Sequence, residues 1–428
     1  MVRLFEQHRI RETKELEGMW AFSPENSEKA YQMPVPSCWE QHPDFYTYRG
    51  KGVYTKKIFV AEDCNVRLVF QGVSHTADVY FDDAFVVHHY NAFTPFDQVV
   101  KDVKKGEHVI KVLVDNTFGE HSALHLPNDY YTYGGITRPV SFEKISDIYI
   151  KNIKFTPYIE NEIWNATIDV TVENISENMQ SVSLKSSLDK YSMQSEIIEI
   201  NPNSKVTIRL KQSFPDVLSW SNQNPALYML NTVLYSDHTP VDDLIERVGF
   251  RTVAVAGNQI RLNGESVFLK GFNRHEDYAV VGCAIPLQLM INDMDLMQDM
   301  GVNALRTCHY PNDERFLDLC DERGILVWEE NHARGLSLPD MQNPNFEKQC
   351  EDCIDEMIEN HYNHPSIIIW GILNECAAET APGRELYKKQ FEQIKSLDAS
   401  RPTTSATCRH FTDITLDLPD IVSFNMYS

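Results

Sequence analysis

The stretch that decides the fold is Ser366-Ile-Ile-Ile-Trp-Gly-Ile-Leu373, which is followed directly by Asn374-Glu375. Its residues are almost all apolar and include three consecutive isoleucines, so the pattern predicts a strand that is buried on both faces, as in a parallel sheet. In α/β barrels, catalytic groups lie at the carboxyl ends of the strands. An amide and a carboxylate at this position therefore indicate a catalytic site, although the pair taken alone could equally begin a solvated loop.

Strand-like and helix-like segments alternate after residue 265, which indicates parallel βα units. The predicted strands are 267–272, 302–306, 325–328, 366–373, 403–406 and 421–424. The predicted helices are 286–300, a helix capped by Asn312 and ended by Gly324, 346–362 and 384–395. A closed barrel of this type needs eight strands. The sequence therefore predicts an incomplete (β/α)8 TIM barrel over residues 253–428.

The two preceding parts of the chain have the pattern of β-sandwiches. Residues 1–146 contain short alternating segments broken by turns, which is typical of an all-β sandwich. Residues 147–252 alternate apolar and polar positions, for example over 166–172, as in a half-exposed sandwich of immunoglobulin type. Asn263-Gly264 predicts a hairpin between 259–262 and 267–270. The fold class is thus a multidomain chain of two β-sandwiches and a barrel.

The composition excludes several classes of protein. The formal net charge of −23 argues against binding to nucleic acids and to anionic membranes. No segment is long and apolar enough for a membrane span, and the N-terminus lacks an apolar signal core. Nine scattered cysteines favour reduced thiols, so we expect a cytoplasmic location. We assign the pair Cys350-x-x-Cys353 to the core of a helix, because no second pair accompanies it.

Polar side chains cluster at the carboxyl ends of the predicted barrel strands, where they should converge on one face. The groups are Asn273 to Asp277, Thr307 to Tyr310, Glu329 to His332, Asn374-Glu375 and Asn425 to Tyr427. Carboxylates, histidines, amides and a tyrosine together suit polyhydroxylated ligands and acid/base chemistry.

Several of these segments resemble glycoside hydrolase family 2, the family of β-glucuronidases and β-galactosidases. The matching segments are Gly134-Gly-Ile-Thr-Arg-Pro139, Leu269 to Asp277, Asn303 to Pro311, Phe316 to Glu330 and His364 to Glu375. The resemblance implies a jelly-roll, sugar-binding-like domain over 1–146, an immunoglobulin-like sandwich over 147–252 and a catalytic barrel from 253. It implies a retaining exo-β-glycosidase for terminal β-D-glucuronides or β-D-galactosides, with β-mannosidase activity as an alternative within the family.

The resemblance also implies the roles of individual residues. Glu375 would be the general acid/base, and Asn374 would bind the sugar 2-hydroxyl. The remaining substrate-binding residues implied by the resemblance are Asp129, His275, His309, Asn425 and Tyr427. We expect no required metal and no cofactor, since the stretch Glu329-Glu-Asn-His332 departs from the metal-binding arrangement of some β-galactosidases of the family.

The second catalytic carboxylate is missing from this pattern. In the family, the nucleophile is a glutamate after the seventh barrel strand, and the predicted strands stop at the sixth. We therefore expect that the nucleophile is not in this chain and that the chain is an inactive fragment with open sheet edges. A protein of another class, a non-catalytic carbohydrate-binding or assembly protein, would also fit. Expected partners are a carbohydrate substrate and further copies of the chain in a homo-oligomer.

Overall fold

The computed structural model describes residues 2–25, 27 and 29–427. It comprises two β-sandwiches followed by a curled parallel sheet with helices on its outer side, so the predicted fold class is confirmed. Over the described residues, none of the helices has the length and apolar character needed to cross a membrane.

The first sandwich packs two antiparallel sheets face to face. One sheet has the order β1-β12-β5-β9 and the other β3-β2-β4-β10-β7-β8, while β6 pairs with β11 beside them. Its strands are β1 (Glu12–Glu15), β2 (Gly18–Pro24), β3 (Tyr31–Val35), β4 (Lys51–Val60), β5 (Cys64–Phe70), β6 (Val73–Ser74), β7 (Thr76–Phe81), β8 (Ala84–Tyr90), β9 (Phe96–Val103), β10 (Gly106–Asp115), β11 (Gly135–Ile136) and β12 (Val140–Ile145), with 3-10 turns at Trp39–Gln41 and Pro43–Phe45.

The second sandwich follows without a long linker. One sheet has the order β13-β14-β18 and the other β16-β15-β19-β20, with β17 on β15. Its strands are β13 (Ile148–Glu160), β14 (Ile163–Asn174), β15 (Gln180–Leu188), β16 (Tyr191–Gln194), β17 (Ile198–Ile200), β18 (Ser204–Phe214), β19 (Tyr228–Ser236) and β20 (Thr239–Val248). Every second residue of β14 from Ala166 to Asn174 is buried, because one face of the sheet covers the core.

A small three-stranded sheet connects the second sandwich to the barrel. It consists of β21 (Val253–Ala256), β22 (Gln259–Leu262) and β23 (Glu265–Val267). The predicted hairpin at Asn263-Gly264 is confirmed, since β22 pairs antiparallel with β23.

The barrel part has parallel strands in chain order. They are β24 (Gly271–Arg274), β25 (Ala304–Thr307), β26 (Leu326–Glu330), β27 (Ile367–Ile372), β28 (Thr403–Thr407) and β29 (Ile421–Phe424). The helices are α1 (Leu287–Asp299), α2 (Glu314–Arg323), α3 (Leu338–Met341), α4 (Phe346–His361) and α5 (Ala381–Leu397). All residues of β27 are buried, as the isoleucine run predicts. Cys350 and Cys353 lie in the buried face of α4, which confirms their assignment to the core.

Two predicted boundaries are wrong. The predicted strand 267–272 is two separate strands, because Val267 completes the β22–β23 hairpin and the barrel strand starts only at Gly271. The predicted cap of α2, Asn312, is also wrong. Asp313 is the N-cap residue, and its side chain accepts a hydrogen bond from Arg315 N at 2.9 Å.

The interior of the sheet is buried, whereas its two edge strands are exposed in part. Residues of β25 and β28 are all buried, but Phe272 on β24 and Phe424 on β29 are 45% and 46% exposed. This difference follows from the position of the strands, because an inner strand has a neighbour on each side and an edge strand has one.

Candidate active site

The site begins at the end of β27, where the backbone turns sharply. Leu373 and Glu375 have φ angles of 44° and 54°, in the left-handed region that costs a residue with a side chain about 1 kcal/mol or more. Hydrogen bonds hold this turn in place. Asn374 N donates to Ala333 O at 3.0 Å, Glu375 N donates to Ala406 O at 2.9 Å, and Tyr387 Oη donates to Leu373 O at 2.9 Å. Strain that is fixed in this way is common at functional sites.

The carboxylate of Glu375 is bound by two residues that follow β29. Asn425 Nδ2 donates to Glu375 Oε1 at 2.6 Å, and Tyr427 Oη donates to the same oxygen. The hydrogen bond to Glu375, together with partial burial, raises the pKa of Tyr427 to about 12. Both donors are uncharged at neutral pH, and they fix the orientation of the carboxylate.

The carboxamide of Asn374 is held beside this carboxylate. Asn374 Oδ1 accepts hydrogen bonds from Arg306 Nη2 at 2.7 Å and from Asn425 Nδ2 at 2.9 Å. Because the oxygen is engaged by two donors, the amide orientation is defined and its NH2 group is left to donate to a ligand. Asn425 therefore connects the two residues at the end of β27.

Arg306 and Glu330 form a buried ion pair beneath Asn374. Arg306 Nε and Nη2 donate to the two carboxylate oxygens of Glu330 at 2.9 and 3.0 Å, in the two-point geometry that suits a guanidinium. Burial by itself would raise the pKa of Glu330, but the charge of Arg306 and the hydrogen bond from His309 hold this pKa below its usual range. The sequence reasoning missed Arg306. A usable signal was present, because an arginine in a buried strand requires an acceptor.

His275 and His309 lie next to each other on one side of the site. Their ring centroids are 5.5 Å apart, and His309 Nδ1 lies 2.6 Å from Glu330 Oε1. His275 Nδ1 lies 3.2 Å from Tyr310 Oη. Burial, together with the charge of His309, lowers the pKa of His275 to about 4, so its imidazole is neutral near pH 7.

A segment of the first sandwich reaches this side of the barrel. Arg334, which follows β26, donates to Asp129 Oδ2 at 2.7 Å and forms an isolated parallel bridge with Asn374. The ring of the adjacent Tyr130 lies 4.9 Å from the ring of His275. The structure thus brings Asp129 close to the other predicted residues, and it does so through Arg334 and Tyr130, which the sequence reasoning also missed.

Two further acidic residues at the strand ends have structural partners. Glu276 accepts hydrogen bonds from Arg138 Nη2 at 2.7 Å and from Asp313 N at 2.8 Å. Glu329 lies 2.9 Å from His361 Nδ1 and accepts a hydrogen bond from Asn312 N at 3.1 Å. Both are almost fully buried. Glu276 links the barrel to the first sandwich, whereas Glu329 links elements within the barrel, and both carboxylates are engaged by these partners.

Among the residues that the structure describes, two groups of side chains have metal-ligand chemistry. In the first, His275, Cys308 and His309 offer ligand atoms within 4.8 Å of one another, and it belongs to the site described above. The second is Asp318, Asp321 and His364, whose charges are already paired, since Arg3 donates to Asp318 at 2.8 Å and His364 Nδ1 lies 2.6 Å from Asp321. The expectation that no metal is required remains a prediction.

Comparison with known proteins gives matches along almost the whole chain. Residues 13–146 match the sugar binding domain of the glycosyl hydrolases family 2, residues 148–251 match a second domain of that family, and residues 253–428 match its TIM barrel domain. A solved structure, the family 2 β-galacturonidase from Eisenbergiella tayi, is 47% identical with a TM-score of 0.97, covering 100% of this chain and 76% of that chain.

Two curated relatives are more distant. The β-galactosidase of Thermoanaerobacterium thermosulfurigenes is 30% identical, over 88% of this chain and 53% of the relative. The β-glucuronidase of Streptococcus agalactiae is 26% identical, over 98% of this chain and 76% of the relative. The chain spans about half the length of the first curated relatives that it matches.

Proposed function

Because this chain belongs to glycosyl hydrolase family 2, we propose that the whole protein is a retaining exo-β-glycosidase in which Glu375 is the general acid/base. In such an enzyme, one carboxylic acid protonates the leaving oxygen and later activates water. The observation that carries the proposal is the hydrogen bonding at the end of β27. Asn425 and Tyr427 orient the carboxylate of Glu375, while Arg306 and Asn425 orient the amide of Asn374 beside it.

The remaining predicted residues form the proposed sugar-binding wall. His275, His309 and Asp129 lie near one another around Tyr130 and Arg334, which supports a role in binding the hydroxyl groups of a terminal sugar. Asn374 would donate to the 2-hydroxyl, a contact that strengthens in the transition state. Asn425 and Tyr427 would act on the sugar indirectly, through Glu375.

A retaining mechanism also needs a nucleophilic carboxylate about 5 to 5.5 Å from the acid/base. Glu276, Asp277, Glu329 and Glu330 are each hydrogen-bonded to partners within this chain, and the family resemblance assigns the role of nucleophile to none of them. We therefore keep the proposal that the nucleophile comes from outside residues 1–428. This part of the proposal concerns the whole protein, in which the catalytic pair would be complete.

The proposed substrate carries a terminal β-D-galacturonide. The support is the 47% identity with the Eisenbergiella tayi β-galacturonidase over the whole chain, compared with 30% for the β-galactosidase and 26% for the β-glucuronidase. β-D-Galactosides and β-D-glucuronides are the competing substrates. The names of these relatives do not favour a non-catalytic carbohydrate-binding protein.

The test is hydrolysis of 4-nitrophenyl β-D-galacturonide, β-D-galactoside, β-D-glucuronide and β-D-mannoside by the full protein that contains this chain. We expect the highest kcat/KM for the galacturonide. Glu375→Gln should lower kcat by about 10²- to 10⁴-fold, because the base that activates water in the second step is removed. Its loss in kcat/KM should be smaller, because 4-nitrophenolate needs little protonation to leave.

The matched control is Glu385→Gln, because Glu385 is an exposed glutamate on α5. This variant should hydrolyse each substrate at the wild-type rate. A wild-type protein that hydrolyses none of the glycosides, or a Glu375→Gln variant with full activity, would contradict the proposed function.

Further features of the whole protein are proposals as well. We propose a cytoplasmic location, supported by cysteines that are all free thiols. We propose that the protein does not bind nucleic acid, supported by the net charge of −23. We also propose that it forms a homo-oligomer. We also propose domain boundaries at residues 146 and 252. Light scattering after size exclusion tests the oligomer, cell fractionation tests the location, and limited proteolysis tests the boundaries.

A further inference from the structure

The first sandwich and the barrel meet at two cysteines that are distant in the sequence. Cys38 Sγ lies 3.5 Å from Cys283 Sγ, although the residues are 245 positions apart. Cys38 is fully buried just before the 3-10 turn Trp39–Gln41, and Cys283 is half-buried in the segment between β24 and α1. The two thiols are therefore already in contact across the boundary between the domains.

Neighbouring hydrogen bonds hold both sides of this contact. Gln41 Nε2 donates to Val281 O at 2.8 Å, and Tyr133 Oη donates to Asp277 Oδ1 at 2.8 Å. Within the barrel segment, Tyr278 and Gly282 exchange backbone hydrogen bonds of 3.1 and 2.9 Å, which close a loop next to Cys283. These hydrogen bonds therefore fix the two backbone segments that carry Cys38 and Cys283.

We propose that Cys38 and Cys283 are a redox-sensitive pair, which forms a disulfide when the protein meets an oxidant of the disulfide class, such as oxidised glutathione. An S–S bond is about 2.0 Å long, so the sulfurs must approach by only about 1.5 Å from their present 3.5 Å. The disulfide would link the loop between β24 and α1 covalently to the first sandwich. This loop begins at His275.

The reaction has two steps. Cys283 is the more accessible sulfur, so its thiolate attacks oxidised glutathione first and releases one glutathione thiol. Cys38 then attacks Cys283, and the second glutathione thiol leaves. In total, the two protein thiols are oxidised to one disulfide, and one oxidised glutathione is reduced to two thiols. Burial raises the pKa of Cys38, so we expect the second step to be the slower one.

The disulfide would have a structural consequence that does not depend on the proposed hydrolase activity. It would close a loop of 245 residues, and a link across so long a loop strongly restricts the unfolded chain. We expect it to stabilise the contact between the first sandwich and the barrel. Reduction would return the free thiols and the original stability.

The experiment incubates the folded full protein with oxidised glutathione, alkylates the free thiols and digests it without reduction. We expect one linked peptide pair that contains Cys38 and Cys283, a loss of these two titratable thiols in addition to any glutathionylated Cys408, and a midpoint of thermal unfolding higher by several degrees. Dithiothreitol should reverse all three changes.

Two variants complete the test. Cys283→Ser should give neither the linked peptide nor the higher midpoint. Cys64→Ser, which removes another partly buried thiol of the first sandwich, should behave as the wild type. The proposal would be wrong if Cys38 and Cys283 were both still alkylated after the exposed Cys408 had reacted, or if the linked peptide formed only in urea-unfolded protein.

Discussion

Arg306 is the residue that holds the parts of the candidate site together. The residue is only 6% exposed, and it donates to Glu330 from β26, Asn374 after β27 and Asn425 after β29. Its guanidinium also lies over the ring of Trp328 at 4.3 Å. A guanidinium keeps its charge when buried, so its planar set of donors decides where these acceptors can lie.

Replacing Arg306 by lysine should preserve the charge but lose this geometry. A single ammonium group cannot make the two-point bond to Glu330 and also reach Asn374 Oδ1, so the amide of Asn374 would lose its fixed orientation. We expect kcat/KM for 4-nitrophenyl glycosides to fall about 10²-fold in Arg306→Lys of the full protein, which corresponds to about 2.7 kcal/mol of transition-state stabilisation.

The control for this prediction is Arg209→Lys, which changes an exposed arginine paired with Asp169 on the second sandwich. Surface ion pairs of this kind contribute little, so its kcat/KM should equal that of the wild type. Unchanged hydrolysis by Arg306→Lys would show that the orientation of Asn374 does not depend on Arg306.

At the scale of elements, β27 can lie in the centre of the sheet because it has a glycine at position 371. A Cβ atom added to Gly371 would lie 2.2 Å from Trp328 Nε1 and 2.8 Å from Glu330 Cβ. Both of these residues belong to β26, so the glycine leaves room on β27 for the tryptophan and for the glutamate that pairs with Arg306.

Gly371→Ala should therefore destabilise the barrel. The added methyl group overfills a packed interior, which typically costs about 1 to 3 kcal/mol, and it should also displace Glu330 and reduce hydrolysis. Urea unfolding gives the free energy of unfolding of each variant. In the control Gly119→Ala, the new Cβ would meet only the ring of His121, which is exposed and can turn away. Equal stabilities of the two variants would contradict the prediction.

The elements of the barrel were largely predictable, because each depends on residues close together in the sequence. The isoleucine run predicted β27, and the helical spacing of apolar residues predicted α4. The start of β24 was not predictable from the pattern. Residues 267–272 are mostly apolar and read as one strand, and only the pairing of β23 with β22 divides them.

At the scale of the whole molecule, the N-terminal segment before β1 forms hydrogen bonds with all three domains. Arg3 donates to Asp318 of α2 at 2.8 Å. Arg11 donates to Asp242 of the second sandwich at 2.7 Å and to Glu143 of the first sandwich at 2.8 Å. A cavity of about 590 Å³ lies against this segment, which lines it together with residues of all three domains.

The ion pairs of this segment make stability depend on pH. Burial alone would raise the pKa of Glu143, but the charges of Arg67 and Arg11 lower it to about 2. The pKa of a glutamate in the unfolded chain is about 4.3. The folded state therefore gains stability from Glu143 above about pH 4.3, and this gain disappears as the pH falls towards 2.

Glu143→Gln should therefore be less stable than the wild type at pH 7, by roughly 3 kcal/mol. The difference should shrink steadily below about pH 4.3, because the wild type then loses the same interaction. Urea unfolding between pH 7 and pH 3 measures it. Glu199→Gln, on an exposed position of β17, should equal the wild type throughout. A difference for Glu143→Gln that stays constant down to pH 3 would contradict this explanation.

The sequence by itself determined the order of the domains, the strands of the barrel and the polar residues at their carboxyl ends. Apolar periodicity and turn residues act within about a dozen residues, so they can be read without knowing the contacts between distant parts. The same information identified Asn374 and Glu375 as the centre of the candidate site.

Only the tertiary structure decided which side chains meet. The contacts of Arg306 with Glu330, of Arg334 with Asp129 and of Cys38 with Cys283 join residues that are 24, 205 and 245 positions apart. No local pattern encodes these distances, because they result from how the sheets pack and how the strands curl. The packing thus brings the polar side chains at the strand ends together into one site, in which each has a defined partner.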